Sequence, residues 1–108
     1  MDPGHPVSAL VSGAPGAGGA LLGFAHYVLH PHTFSSRMVC YLEDLWVDPS
    51  ARGAGVGRKL IEALIGRSRD GGWRRIYWHT DAENAAARVL YDRVAQLTNY
   101  VRYDIVLP

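Results

Sequence analysis

At 108 residues and a formal net charge of +1, the chain has the size of one domain and no charge bias toward nucleic acid or an anionic membrane surface. Apolar residues make up 48% and charged residues 19%, and no apolar run approaches the roughly 20 residues needed to span a bilayer. The start of the chain lacks the basic and apolar segments of a signal peptide, and Cys40, the sole cysteine, can form no internal disulfide; a reducing cytoplasm is therefore the expected setting.

In chain order, Val7 to Val11 reads as a short strand and Ala20 to His30 as a longer one. The Gly, Ala and Pro residues from Ser12 to Gly19 form the loop of an antiparallel hairpin between them. Pro31 should end the second strand, because proline cannot donate to a ladder. Val39 to Asp48 is a third strand, interrupted in its pattern by the acidic pair Glu43 and Asp44. Pro49 to Gly53 breaks it. Gly55 to Arg69 follows as a helix, with Val56, Leu60, Ile61, Leu64 and Ile65 spaced as a broad apolar stripe and Gly71-Gly72 as its stop. Arg75 to Thr80 is a strand, Asn84 to Ala95 a helix with Asn84 as N-cap, and Tyr100 to Val106 a final strand. The order β-β-β-α-β-α-β predicts a mixed α/β (α+β) sheet, parallel where strands flank a helix.

The most informative stretch is Arg52-Gly53-Ala54-Gly55-Val56-Gly57, set between a strand and a helix start. Glycine lets a ligand approach the backbone, and the free N–H groups and dipole of a helix start favour phosphate. Arg52, Arg58 and Lys59 add positive charge there, so a diphosphate is the expected ligand. A P-loop is excluded, because Arg58-Lys59-Leu60 has neither the last glycine nor the magnesium-binding hydroxyl. A dinucleotide fingerprint fails at its third glycine, where Arg58 or Leu60 stands.

Arg52 to Gly57 instead resembles the coenzyme A pyrophosphate loop of the GNAT N-acetyltransferases, which reads Arg/Gln-Gly-x-Gly-x-Gly/Ala after a strand. Leu42-Glu43-Asp44-Leu45-Trp46-Val47-Asp48-Pro49 is similar to that family's preceding strand, in particular its spermidine/spermine and small-amine branch. Asn84-Ala85-Ala86-Ala87-Arg88-Val89-Leu90-Tyr91 resembles the family's second conserved segment. The resemblance implies acetyl-CoA as co-substrate and a small primary amine as acceptor. It implies that Leu45, Trp46 and Val47 offer backbone groups to the pantetheine arm and thioester, and that Arg52, Gly53, Ala54, Gly55, Val56, Gly57 and Arg58 hold the pyrophosphate.

The resemblance further implies two catalytic side chains. Tyr91 falls at the family's general acid, and a phenol with pKa near 10 can protonate a departing thiolate while staying neutral itself. Glu43 falls at the family's general base or amine-binding carboxylate; alternation sends Asp44 to the other sheet face unless a bulge intervenes. Asn84 can reach the pantetheine, cap its helix, or do both. Trp78 or His79 can line the acceptor pocket. Cys40 reads as a buried strand residue, since transfer is direct. His30 and His32 read as loop histidines, and no metal site is expected.

Relatives of this kind open with a strand and two helices before the hairpin, and the resemblance implies that these are absent here. The sheet face and edge they would cover should seek a second copy, so a homodimer or larger assembly is expected. A fragment of a longer chain accounts for the same observation.

Overall fold

The computed structural model describes residues 7–13 and 21–108. Four strands form one sheet in the order β1 (Val7–Gly13), β2 (Leu21–His32), β3 (Ser35–Val47) and β4 (Arg75–Tyr77). β1, β2 and β3 are antiparallel neighbours, and β4 joins β3 in parallel. The crossover between β3 and β4 carries a one-turn helix, Pro49–Ala51, and helix α1 (Val56–Gly71); helix α2 (Ala85–Val94) follows β4.

Several boundaries differ from the sequence reading, and β3 begins at Ser35, four residues before the expected Val39. β1 runs on through Ser12 and Gly13, while residues 14–19 of the expected loop lie outside the described residues, as does Ala20, the expected start of the second strand. Pro31 does not end β2, which continues to His32 and turns through Thr33 and Phe34 into β3. Among the described residues β1 pairs with β2 only as far as Val28, while β3 pairs along Pro31, and a missing N–H is tolerated on a side without a ladder partner. β4 stops at Tyr77 instead of Thr80, because the two parallel strands part after the Tyr41–Tyr77 pair.

The expected last strand, Tyr100 to Val106, does not form. Tyr100, Val101, Tyr103, Ile105, Val106 and Leu107 are exposed. A strand pattern acquires a ladder only against a free edge, and β4 presents three residues.

One face of the sheet carries the core. Ala25, Tyr27, Cys40 and Leu42 pack there against Val56, Leu60 and Leu64 of α1, with Ile76 and Trp78 at the margin. Each fully buried aliphatic side chain of this kind contributes about 1.5–3 kcal/mol. The Tyr27 hydroxyl, which would otherwise be orphaned in the core, accepts a hydrogen bond from Arg67. Cys40 is fully buried, and burial pushes its thiol up to about 11, so it holds its proton at neutral pH.

Candidate active site

The register between β2 and β3 slips at one place: Asp44 faces His26, yet Leu42 faces Tyr27. Glu43 is therefore the extra residue of a β-bulge, which bends β3 just before Leu45. Beyond the bulge β3 continues to Val47 while β4 has already ended, so the sheet forks. The bulge also answers the alternation argument for the acidic pair, because Glu43 and Asp44 are both exposed.

On the helix side the fork opens into a cleft of about 670 Å³. Its lining joins Leu45, Trp46 and Val47 of β3 to Arg52, Gly53, Gly55, Val56, Gly57 and Arg58 of the glycine turn, and to Asn84 and Tyr91 across from them. Among the expected cofactor contacts only Ala54 lies outside the lining, and so does Glu43. Trp46 turns its ring to the other face, stacked on Phe24 at 5.5 Å, which leaves its backbone toward the cleft.

The glycine turn is shaped by two left-handed residues, Gly53 at φ 85° and Gly55 at φ 81°, a region that side chains with a Cβ rarely enter. Gly55 is the N-cap of α1 and offers no side-chain cap. The first bond of the helix runs from the Lys59 N–H to the Gly55 carbonyl. The N–H groups of Val56, Gly57 and Arg58 consequently have no carbonyl within the helix and point out of its positive end. No acidic residue occupies the first turn to compete with an anion. Arg58 is tethered to Glu62 at 3.1 Å, an exposed ion pair that holds it only weakly.

The strand leading into the turn is anchored by Asp48, whose carboxylate accepts from the Ser50 N–H at 2.9 Å and the Ser50 hydroxyl at 2.6 Å. Those bonds hold its carboxyl below the usual range.

Across the cleft, the Asn84 side chain accepts from the Ala87 N–H at 3.3 Å and so caps α2 while also lining the cleft. Tyr91 meets Trp78 edge to face at 5.4 Å, and burial raises its phenol above the ordinary value. It is fully protonated at neutral pH, the state an acid needs. Ala86, Ala87, Leu90 and Arg93 also line the cleft and were not singled out from sequence. Their signal was there: Ala87 stands four residues before Tyr91, and Ala86, Leu90 and Arg93 follow one another at spacings of four and three, so adjacent rows of one helical side face the cleft.

The opposite face of the fork is aromatic. Tyr41 and Tyr77 lie 5.0 Å apart, His79 sits edge to face with both, and its Nδ1 is 3.4 Å from the Tyr41 hydroxyl. His30 is not a solvated loop histidine but a half-buried strand residue, with Nε2 2.9 Å from the Tyr77 hydroxyl. His32 caps the hairpin turn by accepting from the Phe34 N–H at 3.1 Å.

This architecture and lining can be compared with known proteins. The D-amino-acid N-acetyltransferase of Saccharomyces cerevisiae is 44% identical over 85 residues, covering 79% of this chain and 53% of that protein. A mycothiol acetyltransferase of Salinispora tropica is 36% identical over 90 residues, covering 81% of this chain and 29% of that protein. The chain thus spans about half, or less, of the length of these curated relatives. Among solved structures, the ribosomal-protein-alanine N-acetyltransferase of Brucella melitensis biovar Abortus 2308 superposes with a TM-score of 0.82 at 20% identity, over 94% of this chain and 72% of that one. A Trypanosoma brucei acetyltransferase superposes at 0.77 with 26% identity, over 94% and 70%. The model of the acetyltransferase (GNAT) family matches residues 3–95, and the chain belongs to that family.

Proposed function

We propose that this chain moves acetyl from acetyl-CoA to a primary amine, with a small amine or polyamine as acceptor. One observation carries the reading: a single cleft brings the unpaired N–H groups of the glycine turn together with the protonated phenol of Tyr91. The turn and its arginines suit a pyrophosphate, and the β3 backbone past the bulge suits an extended pantetheine arm. Tyr91 then stands to protonate the leaving thiolate. Glu43 and Asp44, exposed on the bulge beside the fork, favour a cationic acceptor and give Glu43 the role of holding or deprotonating it.

Calorimetry with acetyl-CoA, followed by a thiol-release assay on spermidine, a D-amino acid and lysine, tests the reading. We expect binding and turnover; a folded chain that binds no acetyl-CoA overturns it. Tyr91→Phe should lower kcat by roughly 10–100-fold with the acetyl-CoA Kd nearly unchanged. Equal activity would make Tyr91 a packing residue of the Trp78 contact.

A second reading, an acyl-CoA-binding module without turnover, draws on Glu43 and Asp44 both lying outside the cleft lining. Binding without thiol release on any amine selects it. A homodimer or larger assembly of this chain, in a cytoplasmic setting, completes the proposal. Among the described residues no helix is long and apolar enough to cross a membrane. Gel filtration checks the dimer, and a clean monomer contradicts it.

A further inference from the structure

We propose that His79 is the group that takes the proton from the attacking ammonium, with Tyr41 as the positioning residue that holds its imidazole. The inference rests on the acetyl-transfer reading above and divides the role that reading gives Glu43: Glu43 holds the amine and His79 deprotonates it.

The fork has two sides, and amide formation needs a different group on each. The ammonium must lose a proton before its lone pair can attack, and the sulfur must gain one as it leaves. Tyr91 serves the helix side. Ile76 and Trp78 belong to that side as well, so alternation sends Tyr77 and His79 to the other. His79 is thus next in sequence to the residue that touches Tyr91, yet faces the opposite mouth of the fork. Exposed, and two residues past the last paired position of β4, it stands where an acceptor entering from that face arrives.

Its surroundings suit the task. A neutral imidazole accepts a proton only at the nitrogen that carries a lone pair. If Nδ1–H donates to the Tyr41 oxygen, Nε2 is left free for the amine. The 3.4 Å separation is long, as catalytic bonds often are before substrate arrives. Tyr77 does not compete. The His30 Nδ1 lies 3.1 Å from the Pro31 carbonyl, which can only accept, so the His30 Nε2 takes the Tyr77 proton.

The other charged groups near this cluster are Arg75, over the Tyr77 ring at 5.8 Å, and Arg102, held by Asp104 and within electrostatic reach of Tyr41. Glu43 and Asp44 stand further along β3, where they can hold the ammonium. An imidazole titrates closer to neutral pH than an ordinary carboxylate, so it is the better matched base for an amine.

The balance is then complete. His79 Nε2 takes one proton from R–NH₃⁺ and passes it to solvent. The nitrogen lone pair forms the C–N bond, the C–S bond breaks, and the second nitrogen proton replaces the one that Tyr91 gives to the sulfur. The products are the amide, the free thiol and one proton released to water.

The test uses the full chain and whichever of spermidine, a D-amino acid or lysine turns over fastest. His79→Gln should lower kcat/KM at neutral pH by roughly 100-fold, abolish the acid-side fall of the pH profile, and leave the acetyl-CoA Kd unchanged. Glu43→Gln should keep that acid-side fall. In the free protein, nitrogen NMR should find the His79 proton on Nδ1, and Tyr41→Phe should move it to Nε2 with a smaller loss of kcat. An unchanged rate and profile in His79→Gln overturns the role of His79 alone, as does a proton on Nε2 in the wild-type chain. A wild-type chain that binds acetyl-CoA and turns over no amine overturns acetyl transfer itself, and this role with it.

Discussion

The two sides of the forked sheet are built in different ways. On the helix side, the cleft lining comes from two short runs of chain, Leu45 to Arg58 and Asn84 to Arg93. On the other side, His30, Tyr41 and Tyr77 come from three strands and His79 from just past the end of β4, brought together by the pairing of those strands. The first side is local chemistry written into contiguous sequence. The second exists only once β2, β3 and β4 are paired, so a substitution there acts through geometry that no single segment contains.

Cys40 and Tyr41 show the same contrast within two adjacent residues. Cys40 is fully buried under α1, while Tyr41 stands half-buried among aromatic neighbours on the other face.

The largest test of this contrast is Gly55→Val. A β-branched residue at φ 81° is strained whatever space surrounds it, so the turn must rearrange. Acetyl-CoA affinity should fall by roughly 100-fold or more, a loss of about 3 kcal/mol, measured by calorimetry on a chain shown by circular dichroism to be folded. Retained affinity would mean that the turn does not hold the pyrophosphate. Glu43→Gln should have a smaller effect of the opposite kind. The amine KM should rise roughly tenfold while the acetyl-CoA Kd stays put, because the bulge lies outside the cleft lining. An equal effect on both constants would erase the distinction between the two sides.

The smallest effect is on stability. The Cys40 thiol ionises at about 11 in the folded chain against 9.0 for the free group. Between those values the unfolded chain has lost a proton that the native chain keeps. Native binding of protons then exceeds unfolded binding, and stability falls as pH rises. Denaturant midpoints should show a loss of up to about 2–3 kcal/mol from Cys40 between pH 9 and 11, and Cys40→Ala should flatten the alkaline slope to what the buried Tyr91 phenol contributes. An identical alkaline slope in the variant would show that Cys40 is not shielded from water.

Much of the cleft was legible beforehand because its logic is short-ranged. Glycines at three alternate positions before an apolar-striped helix, with flanking arginines, constrain both backbone and charge within one turn. Asn84 followed by a helix with Tyr91 seven residues on is equally compact. Ala54 could not be told from its neighbours, since which loop residue faces a ligand depends on the turn's final dihedral angles. The bulge at Glu43 was open in the sequence, because one extra residue shows only against a partner strand.

The sequence by itself determined the order of the described strands and helices, the α1 stripe and the anion-favouring character of the glycine turn, since each follows from local periodicity or local sterics. Tertiary structure alone decided three matters. Pro31 stays in β2 because, among the described residues, only β3 pairs alongside it. Tyr100 to Val106 forms no strand although its pattern permits one, because a ladder needs a partner edge and β4 offers little. His30 and His79 become part of a hydrogen-bonded aromatic face because strand register, a non-local property, sets which residues stand side by side.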